Sequence, residues 1–76
     1  MAEHVIIVDA RGHRCPVPTL RLRRALDRAP PGTSVRLLAD DPMAQIDVPH
    51  FAGQIGATVL EASNDGTVLH FLVRRD

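Results

Sequence analysis

The chain holds one cysteine, Cys15, set in Arg11-Gly12-His13-Arg14-Cys15-Pro16-Val17-Pro18. A cysteine attacks or ligates as its thiolate, so the neighbours that favour the anion decide its chemistry. Pro16 and Pro18 suit the first turn of a helix, where their missing N–H groups would have no intrahelical acceptor. Cys15 then sits at the N-cap or in the last loop position before that helix. A helix start carries about half a positive charge, and Arg11, His13 and Arg14 add more nearby. This setting predicts a thiol pKa lowered from about 8.5 into the 3.5–7.5 range. Val17 and Thr19 are the first-turn N–H groups able to face the sulfur.

Most cysteine chemistries are excluded. Without a second cysteine there is no self-contained dithiol oxidoreductase. A cysteine hydrolase needs an oriented histidine base and an oxyanion site, and His13 in a loop supplies neither. Metal binding would have to combine Cys15 with His4, His13, His50 or His70, whose spacing matches no compact zinc pattern, so no metal is expected. His70 reads as a solvated strand residue. What remains is acceptance of a sulfur atom by the thiolate, giving a persulfide that a second protein can take. No resident cofactor is expected, only that transient persulfide. The competing reading is a non-catalytic module that binds protein or RNA through a helix face, with Cys15 an inert small hydrophobe.

The elements that position Cys15 follow from periodicity. His4 to Asp9 is β-branched and short, hence a strand. The first helix runs from Pro16 to about Ala29 and buries Leu22, Ala25, Leu26 and Ala29. Pro30-Pro31-Gly32-Thr33 ends it. Val35 to Ala39 is a second strand with Val35, Leu37 and Ala39 on one face. Asp40-Asp41-Pro42 is a turn or short helical start. Asp47 then reads as the N-cap of a second helix, with Pro49 in its first turn and Val48, Phe51, Ala52 and Ile55 inward. Gly56 stops it. Ala57–Ser63 and Thr67–Arg74 are strands joined by the tight turn Asn64-Asp65-Gly66. The order βαβαββ predicts an α+β fold, a two-layer sandwich with two helices on one face of a four-stranded mixed sheet.

In this topology Cys15 and Asp40-Asp41 follow the C-terminal ends of neighbouring parallel strands and share one sheet edge. Asp40 or Asp41 is expected to pair with Arg14 or Arg11, or Asp41 to cap the turn at Pro42. A carboxylate facing the sulfur directly would instead raise the thiol pKa. Gly12, His13, Arg14, Pro16, Val17, Pro18, Asp40 and Asp41 are therefore the site-shaping residues. On the first helix, Val17, Leu20, Arg21, Arg24 and Arg28 are expected to project away from the core as a docking face for an acidic partner.

Composition bounds the rest. Seventy-six residues are too few for two packed cores, so one domain over residues 1–76 is expected. No apolar run nears the roughly 20 residues that span a bilayer. Met1-Ala2-Glu3-His4 shows no signal-peptide pattern. A lone cysteine without a disulfide fits the cytoplasm. Nine arginines and no lysine balance nine acids. Six of those arginines lie between Arg11 and Arg28, whereas residues 39–65 carry five acids and no basic side chain except His50. A zero net charge argues against direct nucleic-acid binding, and a charge division of this kind suits protein partners.

Cys15-Pro16-Val17-Pro18 after Asp9-Ala10-Arg11-Gly12, then Pro31-Gly32, Asp40-Asp41-Pro42 and Asp47-Val48-Pro49-His50-Phe51, resembles the TusA/SirA family of small sulfur carriers over about residues 5 to 75. The resemblance implies the βαβαββ fold and a persulfide on Cys15. It also implies a sulfur donor such as a cysteine desulfurase or rhodanese, and a downstream acceptor protein leading to tRNA thiolation or other sulfur metabolism. A monomer is expected. Two positions depart from the family pattern: His13 stands where leucine is common, and Ala52 where some relatives carry a second cysteine.

Overall fold

The computed structural model describes residues 5–76. The expectations placed on Met1-Ala2-Glu3-His4, including His4 as a strand residue, lie outside the described residues. The elements are β1 (Val5–Asp9), α1 (Val17–Arg28), β2 (Ser34–Ala39), α2 (Ala44–Ile55), β3 (Thr58–Asn64) and β4 (Leu69–Arg74). They form one four-stranded sheet in the order β1-β2-β4-β3. β1 and β2 are parallel, and the other two pairs are antiparallel. This is the α+β arrangement that the element order predicts.

The core forms where the two periodicities meet. Val35, Leu37 and Ala39 of β2 stand opposite Val73, Phe71 and Leu69 of β4, and all six are buried. α1 closes over them with Pro18, Leu22 and Leu26, and Ala29 at its C-cap is buried too. Fully burying a side chain such as Leu22 or Leu37 stabilises the fold by about 1.5–3 kcal/mol. The chain leaves α1 through Gly32, whose φ of +86° is one that side chains with a Cβ adopt only with strain.

α2 begins three residues before the expected Asp47. Two aspartates precede prolines here, and Asp41 rather than Asp47 supports the helix start. Its Oδ1 accepts the Met43 N–H at 3.1 Å, and its carbonyl accepts the Ala44 N–H at 3.0 Å. Asp47 therefore lies inside the first turn and Pro49 inside the helix. The shift also rotates the buried face. Ala44, Val48 and Ala52 are buried, Phe51 is half-buried, and Ile55 is 41% exposed instead of inward. Gly56 ends the helix in the left-handed conformation, as expected.

The strand boundaries move slightly. β4 starts at Leu69 because Asp65 holds the turn before it, accepting the Thr67 and Val68 N–H groups at 3.0 and 2.8 Å. Those bonds, with His70, hold the Asp65 carboxyl well below its ordinary value. His70 is a partnered residue, its Nε2 lying 3.1 Å from Asp65 Oδ2, and not merely a solvated one. Among the described residues no helix is long and apolar enough to cross a membrane.

Candidate functional site

The loop between β1 and α1 is shaped by carboxylates that bind its backbone. Asp9, the last residue of β1, accepts the Arg11 N–H at 3.1 Å and the Arg11 guanidinium at 2.9 and 2.7 Å. That pairing holds the Asp9 carboxyl down to about 2. Both oxygens of Asp40 lie 3.0 Å from the Gly12 nitrogen, and Gly12 adopts φ +82°, a conformation that favours glycine. Asp41 Oδ2 accepts the Cys15 N–H at 2.7 Å while Oδ1 holds the start of α2. These two N–H bonds hold the Asp41 carboxyl below its usual value. The expected pairing of Asp40 or Asp41 with Arg14 or Arg11 is thus replaced by backbone bonds. Arg11 goes to Asp9, and Arg14 acts on Asp41 only through its charge. The expected cap at Asp41-Pro42 is present.

Cys15 is exposed. It lies just before Pro16, the N-cap of α1, and therefore occupies the last loop position. Its Sγ donates to Asp47 Oδ2 at 2.5 Å, across 32 residues of sequence. The thiol pKa is consequently raised, first by the hydrogen bond to Asp47, then by partial desolvation and by the charges of Asp47 and Asp41. This corrects the expectation of a thiol made more acidic by its surroundings. A carboxylate that accepts the S–H stabilises the protonated form and repels the thiolate. Arg11, one of the cations expected to oppose it, is paired with Asp9 instead. The Val17 N–H, expected to face the sulfur, is bonded to the Arg14 carbonyl at 2.9 Å.

The sulfur opens into a shallow depression of about 220 Å³ between the start of α1 and one face of α2. Cys15, Pro16 and Thr19 form one wall, and Asp47, His50, Phe51 and Gln54 the other. Sequence reasoning named Thr19 beside the sulfur but missed Asp47, His50, Phe51 and Gln54 of α2 as site residues. Their signal is the spacing 47, 50, 51, 54, one helical face, which becomes visible only once α2 is started at Ala44. Of the predicted shaping residues, Gly12, Pro16, Asp40 and Asp41 are built into the loop. His13 and Arg14 are exposed, and the sulfur's hydrogen bond goes to neither. Pro18 is a core residue. Among the described residues, no three His, Cys, Asp or Glu side chains converge as a metal cage.

The family model for the sulfurtransferase TusA matches residues 6–75. The chain belongs to the TusA family. The sulfur carrier protein TusA of Allochromatium vinosum is 33% identical over 75 residues, covering 99% of both chains. A putative sulfur carrier protein of Archaeoglobus fulgidus is 38% identical over 69 residues, 88% of each. Among solved structures, a SirA-like protein from Desulfitobacterium hafniense superposes with a TM-score of 0.79 at 27% identity, covering 91% of this chain and 95% of that one.

The docking face expected on α1 of this TusA-family chain is divided. Leu20 is 58% exposed beside the cysteine loop, whereas Val17 is half-buried. Arg21, Arg24 and Arg28 do not all stand opposite the core. With Ile6, Val8 and Ala25 they line a separate groove of about 440 Å³ between α1 and β1. The reason is angular: at 100° per residue, Arg21 and Arg28 fall about a quarter turn from the buried stripe. Arg21 also donates to the Asp9 carbonyl, which ties it to β1.

Proposed function

We propose that the protein is a sulfur carrier in which Cys15 accepts sulfane sulfur as a persulfide and hands it to an acceptor protein. Membership of the TusA family supports the sulfur-carrier role. The observation that carries the residue assignment is an exposed thiol whose S–H is hydrogen-bonded to a carboxylate able to receive its proton, at the rim of an open depression. A donor persulfide R–S–SH presents its terminal sulfur to Sγ. Asp47 takes the thiol proton as the sulfur lone pair forms the new S–S bond. The donor's own S–S bond breaks, and its thiolate leaves and recovers a proton. The net change is Cys15–SH + R–S–SH → Cys15–S–SH + R–SH, with no oxidant consumed and no resident cofactor. Reversing the step onto an acceptor thiol unloads the carrier.

The raised thiol pKa fits a carrier that is quiet between partners. A protonated sulfur oxidises and alkylates slowly, and the protein partner supplies the orientation that makes transfer fast. The donor in this reading is a cysteine desulfurase or rhodanese. The acceptor lies on the way to tRNA thiolation or another branch of cytoplasmic sulfur metabolism, and the carrier acts as a monomer.

Incubation with a cysteine desulfurase and free cysteine, followed by intact-mass measurement, is expected to show one added sulfur of about 32 Da. The addition should be absent in Cys15→Ser and removed by a small thiol reductant. An unmodified mass with the desulfurase, with a rhodanese and thiosulfate, and with inorganic polysulfide would overturn the proposal. It would favour the binding module, for which a thiol of raised pKa is an ordinary inert residue.

A further inference from the structure

The two edges of the sheet are unlike. β3 carries Thr58, Glu61, Ser63 and Asn64 and a register break between Val59 and Glu61, devices that discourage pairing with another chain. β1 is Val-Ile-Ile-Val up to Asp9, with no proline and no bulge, and Val5, Ile6 and Ile7 are 47%, 38% and 66% exposed. Among the described residues no strand pairs with its outer side. The Ala10 N–H bonds the Leu38 carbonyl of β2. Because successive residues of a strand alternate, Val8 and Ile6 also turn their backbone groups to β2. Ile7 and Val5 therefore turn theirs outward.

Alongside this edge runs the groove floored by Ile6, Val8 and Ala25 and walled by Arg21, Arg24 and Arg28. We propose that β1 and this arginine row together form a docking site for an extended acidic segment of a partner protein, which adds to the sheet as a fifth strand. The backbone edge recognises the extended main chain. Arg24 and Arg28 recognise carboxylates at alternate positions of that chain, while Arg21 remains on the Asp9 carbonyl. The spacings agree: Arg24 and Arg28 are one turn apart, about 6 Å along α1, and alternate residues of a strand are about 6.7 Å apart. A second copy of this chain is disfavoured as occupant, since it would bring its own arginine row against the first. A polynucleotide is disfavoured too, because its backbone has no amides to meet the Ile7 N–H and carbonyl. The site is distinct from the Cys15 depression and does not depend on Cys15 carrying sulfur.

The test uses the reduced, unloaded protein, so that its outcome is separable from that of sulfur loading. The probe is a capped heptapeptide alternating valine and glutamate, titrated into isotopically labelled protein. The expected result is shifted resonances along β1 and α1, slowed amide exchange at Ile7, and affinity at least about tenfold weaker for the valine–lysine peptide. A valine–glutamate peptide with alternate N-methylated amides is expected to lose binding on an unaltered protein, and Arg24→Glu/Arg28→Glu to lose it with the backbone intact. The proposal is overturned by equal binding of the lysine peptide or by unprotected Ile7. It is equally overturned by N-methylation without effect, by tighter binding of oligouridylate, or by self-association that protects Ile7 without any peptide.

Discussion

The loops that follow the two parallel strands differ in what they contribute. The β1–α1 loop supplies the sulfur and main-chain N–H groups; the β2–α2 segment supplies carboxylates to receive them. Asp40 accepts the Gly12 N–H, Asp41 accepts the Cys15 N–H, and Asp47, one turn into α2, accepts the hydrogen bond of the thiol S–H. The reactive atom therefore belongs to one βα unit and its protonation state to the other. An argument confined to the residues adjacent to a cysteine in sequence misses half of the electrostatics.

The largest effect is expected where a single side chain joins both units. Asp41→Ala removes the acceptor for Cys15 and for Met43 together. Hydrogen exchange should quicken by more than about tenfold at both amides, and the thermal midpoint should fall by several degrees. Unchanged exchange at Cys15 would mean that the second unit does not hold the first. Gly12→Ala comes next. Nothing lies within 4 Å of the added Cβ, so the expected destabilisation of about 1–2 kcal/mol by denaturant titration is the backbone cost alone. Smallest is Arg11→Ala. Its exposed pair with Asp9 should leave the melting temperature within about 2 °C of the parent.

Acid sharpens the same comparison. Asp9, Asp41, Asp65 and Asp76 all have carboxyl pKa values lowered from the ordinary 3.8. A lowered folded-state value stabilises the fold above the ordinary carboxyl pKa and loses that contribution as pH falls through the folded one. Stability should be level from neutral pH to about 5 and decline from about 4 towards 2. A decline already evident near neutrality would place the sensitive groups elsewhere.

Much of the scaffold was legible because it is local and periodic. Alternation marked Val35, Leu37 and Ala39, and helical spacing marked Leu22, Leu26 and Ala29. The start of α2 was not, since Asp41-Pro42 and Asp47-Val48-Pro49 offer the same capping chemistry, and only packing of Ala44 against the core selects the first. The site was legible as far as Cys15 and the aspartates that grip its loop. The thiol's environment was misread for a physical reason: three basic side chains are close to Cys15 in sequence, but the group that reaches its sulfur is 32 residues away. No periodicity encodes such a contact.

The central claim is that Asp47 keeps Cys15 protonated until a partner arrives. Thiolate absorbance followed across pH tests it directly, in the parent and in Asp47→Asn. The parent should ionise above the value of an ordinary cysteine, and removal of the carboxylate should bring ionisation down, with faster alkylation at neutral pH. Ionisation of the parent below that ordinary value, or identical titrations of the two proteins, would contradict it.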